Sequence, residues 1–172
     1  MVADDILPTI VEFSVAVAGF SGIVAALAPS RPSQWSPIAQ TLFTALLFST
    51  AGSASVSLLA MVLLASPVSP ASAWATVSAV QGAWLLGIAV LRMRQSRRSG
   101  TEPPPGTAVV FTLILGIAAT QLANASLFHL AWVCVGCLAL YAAMGFAYFV
   151  MLVMSVGVIS PADQQADEAG VE

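Results

Sequence analysis

Residues 108 to 159 are apolar almost throughout, and that single run limits what the chain can be. As one helix at 1.5 Å per residue it would extend roughly 78 Å, more than twice a hydrocarbon core of about 30 Å. The weak point in the run is "NAS", residues 124 to 126. A hairpin near Asn124 is the economical solution, giving spans over about 108–123 and 127–159. The second of these is long, and tilt or an extension beyond the bilayer must absorb the excess.

The rest of the chain divides in the same way. Apolar runs cover about 6–28, 38–65 and 71–93, separated by "PSRPSQWSP", "SPVSP" and "RQSRRSGTEPPPG", whose Pro, Gly and Ser residues stop helices. Composition agrees: of 172 residues 59% are hydrophobic and 8% charged, and the mean hydropathy is +0.94, far from the usage of water-soluble domains. The expected fold is therefore an all-α integral membrane protein, a bundle of about five transmembrane helices over residues 1–160. The closing segment "PADQQADEAGVE", residues 161–172, reads as a disordered acidic tail. The opening "MVADD" lacks the positive n-region of a secretory signal, so the first apolar run is expected to be kept as a span.

Orientation follows from the arginines, because positive charge in short loops stays cytoplasmic. Arg31 lies in the first connection and Arg92, Arg94, Arg97 and Arg98 in the third, and the chain has no Lys. With five spans those connections share a side, which puts the N-terminus outside and the C-terminus in the cytoplasm of a cell inner membrane of bacterial type. Trp35, Trp74 and Trp132 fall near span ends, where aromatic belts lie, whereas Trp84 is mid-span. A nucleic-acid partner is excluded by the small number of arginines and their closeness to the bilayer. The four-arginine stretch can meet anionic lipid headgroups, but its part in setting topology already accounts for it.

Helices in lipid associate through close packing and hydrogen bonds, so stripes of small residues mark contact faces. At 100° per residue Glu12, Ala16, Gly19 and Ala26 share one side of the first helix, with Gly22 at its edge. "STAGSASVS", residues 49 to 57, is small on nearly every side and contains Gly52, and Gly116 lies between Thr112 and Thr120 on the fourth helix. The small faces suit packing within one bundle, and "STAGSASVS" also suits a second neighbour in another subunit. Ala16, Gly19, Gly22, Gly52 and Gly116 are the expected packing positions.

The chemical candidates are few. Glu12 sits roughly 10 Å past the outer boundary at 1.5 Å per residue, with no intramembrane Lys or Arg to pair with it. Its stripe is expected to turn it toward other helices, near Gln121, Asn124 and His129, where a buried carboxyl would keep its proton. An ionisable group inside a membrane is a functional candidate by default. Gln81, about 15 Å into the third helix, needs hydrogen-bond partners there, and Ser78 shares its face. Ser49 and Ser53 on the second helix, with Gln81, Gln121 and His129, complete a candidate ion or proton path beginning at Glu12.

The cysteines point elsewhere. Cys134 and Cys137 lie about two turns inside an apolar helix, where a reactive thiolate has no cation or helix N-terminus to support it, so both read as packing residues. Cys137, Tyr141, Met144, Tyr148 and Met151 recur at heptad spacing, a pattern that suits a packing seam better than a soft-metal path. His129 is the only histidine, so haem ligated by two histidines would need two subunits. No metal and no cofactor is expected, and no nucleophile has a base beside it, so no enzymatic activity is expected. Two functions remain: a homo-oligomeric ion- or proton-conducting channel or transporter with Glu12 as its titratable group, or a non-catalytic accessory or assembly subunit of a larger membrane complex. The lipid bilayer, further copies of the chain and a membrane-protein partner are the partners these imply.

Overall fold

The computed structural model of the protein describes residues 3–28, 35–99 and 107–156. A short 3-10 turn, Ala3–Ile6, leads into α1, Leu7–Leu27. Then follow α2, Pro37–Leu64, α3, Pro70–Ser99, and α4, Thr107–Ala123, which runs into a π-helical turn, Asn124–Phe128, before α5, Ala131–Val156. Five helices, α4 counted together with its π turn, are long and apolar enough to cross a membrane. The protein is a multi-pass membrane protein built from helices alone among the described residues.

The helix starts obey local chemistry. Pro37 opens α2, where its missing N–H costs nothing, and the Ser36 hydroxyl accepts from the Ala39 N–H at 3.2 Å. Pro70 opens α3 in the same way, with Ser69 Oγ accepting from Ser72 N–H at 3.2 Å. The five residues between α2 and α3 leave no option but an antiparallel pair.

The α4–α5 hairpin falls at Asn124, as the length argument requires. Its turn is not a loop of solvated backbone. The His129 N–H donates to the Asn124 carbonyl at 2.8 Å, an i to i+5 bond that closes the π turn. His129 itself is left-handed at φ 54°, the one such residue other than glycine among those described. The fifth helix consequently starts at Ala131 rather than near Leu127.

α2 is the centre of the bundle. It packs most extensively along α5 and α1, while α3 pairs chiefly with α4 and reaches α2 and α5 less. Glycine makes the closest approaches between these helices. A Cβ on Gly52 would stand 2.9 Å from Trp84 Nε1 and 3.1 Å from Tyr141 Cε1, and one on Gly145 would stand 2.7 Å from Ser49 Oγ. Lipid tails are as apolar as the core, so such fit, rather than apolar burial, holds these helices together.

Several expectations change. α3 continues as a helix to Ser99, so Arg94, Arg97 and Arg98 occupy its last turns instead of a loop. Of the three tryptophans near span ends, Trp132 is exposed but Trp35 and Trp74 are buried, because they fill gaps at the bundle ends: Trp35 packs edge-on against Phe43 at 5.5 Å, and Trp74 joins the cluster of Leu7, Val56 and Cys134. Arg31 and the acidic tail lie outside the described residues.

Candidate functional site

The packed side of α1 consists of Leu7, Ile10, Ser14, Val17 and Ser21, a stripe of helical period. At 100° per residue Glu12 lies about 180° from the middle of that stripe, and it is exposed. The expectation that Glu12 turns toward Gln121, Asn124 and His129 is therefore corrected. Both sides of α1 carry small and apolar residues, so the small-residue stripe does not itself say which side meets the chain's own helices. Ala16, Gly19 and Ala26 share the outward face, and a Cβ on Gly19 or Gly22 meets nothing within 4 Å. Gly116 on α4 is likewise open, whereas Gly52 is enclosed as described.

The polar side chains that do meet are on α3, α4 and α5. Gln121 donates from Nε2 to Gln81 Oε1 and, at 3.4 Å, to the Cys134 carbonyl. The Cys134 thiol lies 3.9 Å from the same nitrogen. One turn further, Asn124 Nδ2 donates to Ser78 Oγ at 2.9 Å and to the Leu130 carbonyl at 3.1 Å. Asn124 Oδ1 accepts from Leu130 N–H at 2.9 Å. Ser78, Gln81, Gln121, Asn124 and Cys134 are all at most 1% exposed. The polar side chains are placed by helix geometry: Gln81 and Ser78 are one turn apart on α3, and Asn124, the first residue of the π turn, follows Gln121 of α4 by three residues.

The candidate residues on α2 lie apart from this cluster. Ser53 Oγ donates to the Leu138 carbonyl at 3.3 Å, and Ser49 Oγ donates to its own helix at Leu46 O, 2.9 Å, while abutting Gly145. Both belong to the α2–α5 seam. Tyr141 reaches across the same seam to the Phe48 carbonyl at 3.3 Å. The heptad residues Cys137, Tyr141 and Met144 pack with Leu85, Ile117 and Ala118. His129 is exposed at the tip of the hairpin.

Of the six candidate site residues, the structure joins Gln81 with Gln121 and leaves Glu12, His129 and the two serines separate. Sequence reasoning left Ser78, Asn124 and Cys134 outside the candidate site, although Ser78 shares the face of Gln81. Asn124 was visible as the hairpin residue, but nothing in its neighbours announces that its side chain closes the turn. The polar reach of Cys134 depends on which α5 face meets α4, and that is a packing outcome. Chemically, the cluster holds amides, a hydroxyl and a thiol, with no carboxylate or imidazole, so it offers hydrogen bonds but no general base. Among the described residues no group of three or more His, Cys, Asp or Glu side chains comes together to hold a metal ion. Comparison with family models, with curated proteins and with solved structures finds no match for this chain, so its function rests on its own geometry.

Proposed function

We propose that the chain is a non-catalytic subunit of a membrane assembly, meeting its neighbour through the outward face of α1. The observation that supports this reading is the exposure of Glu12 on a span, in line with Ala16, Gly19 and Ala26. A carboxyl facing hydrocarbon is costly, and groups of this kind face protein or a water-filled space in folded membrane proteins. Small residues around it let another helix approach closely enough to hydrogen-bond it. The arrangement fits a homo-oligomer, and a larger membrane complex would use the same face. The arginines at the end of α3 favour an orientation with the C-terminus in the cytoplasm of an inner membrane.

Conduction of protons or small cations is the second reading, and Glu12 is again its only carboxyl on a described span. Because Gln81 and Gln121 bond each other and Ser49 and Ser53 bond backbone carbonyls, the lining of such a path would form between subunits. Size measurement by native mass spectrometry, with Glu12→Leu and Gly19→Ile as variants, tests the first reading. A higher-order species lost in both variants supports it; a monomer in wild-type protein, free of any co-purifying membrane protein, overturns it. Proteoliposome flux that vanishes in Glu12→Gln supports the second.

A further inference from the structure

The buried side of α3 is a stripe of helical period, Val77, Ser78, Gln81, Leu85 and Ala89. The next position on that stripe is Arg92, a charge where the pattern calls for an apolar residue. Arg92 is half-buried, whereas Arg94 is exposed. The helix that Arg92 meets is α5, which runs parallel to α3 because α4 reverses between them. Leu85 and Tyr141 share one packed cluster, and a heptad beyond each, Arg92 and Tyr148 come level on the same two faces. The Arg92 charge reaches the Tyr148 hydroxyl electrostatically.

The surroundings of this pair suit an anion. Among the described residues the side-chain carboxylates are Asp5 and Glu12, both in the opposite half of the bundle. The apolar cluster at the Arg92 end centres on Trp35, Ala39, Leu46 and Leu152, with Tyr148 at its edge, and draws no residue from α3 or α4. Arg92 and Tyr148 therefore stand where α3 leaves that cluster, and both are partly exposed. Setting topology accounts for a positive charge at this end of α3. It does not account for the turn of that charge onto the buried stripe, toward an aromatic hydroxyl.

Depth selects the source of the anion. From Pro70 to Arg92 the helix rises roughly 33 Å at 1.5 Å per residue, close to a hydrocarbon core of about 30 Å, so the pair lies at headgroup level. Leu91 and Met93, on either side of Arg92, are exposed. A phosphate that arrives with acyl chains attached gains contact with them, and a free phosphate does not. A guanidinium matches two phosphate oxygens at once, and a phenol can donate to a third acceptor position.

We propose that Arg92 and Tyr148 form a binding site for the phosphodiester of an anionic phospholipid, at the α3–α5 boundary where α3 reaches the headgroups. The site does not depend on the assembly reading.

Native mass spectrometry of the delipidated full-length protein tests it, titrating dioleoyl phosphatidylglycerol or dioleoyl phosphatidylcholine and following the first lipid bound. Wild-type protein is expected to hold phosphatidylglycerol about fivefold or more tighter than phosphatidylcholine. Arg92→Gln removes that preference, while Arg94→Gln, at an exposed position, changes it less than about twofold. Tyr148→Phe deletes one hydroxyl and is expected to weaken the first phosphatidylglycerol about twofold to fivefold, a comparison that stands even if Arg92→Gln does not fold. Inorganic phosphate added in excess leaves lipid binding unchanged. Equal affinity of wild-type protein for the two lipids, equal losses in Arg92→Gln and Arg94→Gln, undiminished binding in Tyr148→Phe, or displacement of the lipid by inorganic phosphate overturns the proposal.

Discussion

Asn124 Nδ2 and Ser78 Oγ stand 2.9 Å apart and tie the α4–α5 turn to α3 across 46 residues of sequence. The same asparagine closes its own turn through both the N–H and the carbonyl of Leu130. One side chain thus holds three elements. Asn124→Ala removes three bonds and is expected to cost about 2 kcal/mol, at roughly 0.6 to 1 kcal/mol for each. Ser78→Ala is expected to cost about 1 kcal/mol, and the double variant less than the sum, because one bond is shared. Reversible unfolding in mixed micelles measures all three.

The glycines divide into two sets with opposite expected behaviour. Gly145→Ala sets a methyl 2.7 Å from Ser49 Oγ and 3.1 Å from Thr50 Cγ2, an overpacking expected to cost about 1 to 2 kcal/mol. Adding Ser49→Ala removes the nearer clash and recovers part of that loss. Gly19→Ala and Gly22→Ala meet nothing within the chain, so monomer stability should hold or rise by up to about 1 kcal/mol from helix propensity. Loss of a higher-order species in these variants, with the monomer intact, locates the α1 contact outside the chain.

Thiol labelling should rank the two cysteines. Cys134 is fully buried between α3, α4 and α5, while Cys137 is half-buried. A maleimide added to folded protein in detergent is expected to react with Cys137 first and with Cys134 only on unfolding. Replacing both with Ser should leave the fold nearly intact, since Ser at 134 keeps a polar atom toward Gln121. Simultaneous reaction of both thiols in folded protein would show that the α3–α4–α5 core opens.

Fusion reporters check the orientation. An alkaline phosphatase domain, active only outside the cytoplasm, is expected to be silent after Glu172 and active when inserted at Val68 between α2 and α3. The reverse pattern would invert every assignment of inside and outside made from the arginines.

The number of helices and the hairpin at Asn124 were legible because length alone forces them: 108 to 159 cannot cross a bilayer once. The pairing of Gln81 with Gln121 was half legible, since both amides demanded partners at depth but several hydroxyls were equally eligible. The direction of Glu12 was not legible. In water an apolar stripe marks the buried side of a helix, but in lipid both sides are apolar, and small residues mark contact without saying with whom. The arginine turns of α3 stay helical because the signals that stop a helix, Gly100 and the prolines beyond it, lie after Ser99 and none lies before it.

The α4–α5 hairpin carries its own polar closures: Asn124 to Leu130, and Gln121 to the Cys134 carbonyl at 3.4 Å. Its two carboxamides therefore find acceptors within about a dozen residues of themselves, before any other helix arrives. For a nascent chain this makes the pair a natural unit of insertion. Two helices entering together with amide N–H groups already bonded present less exposed polarity to the bilayer than the same helices entering singly. The order of residues along the chain thus favours delivery of the last two helices as one preassembled wedge, onto which α3 closes through Ser78 and Gln81.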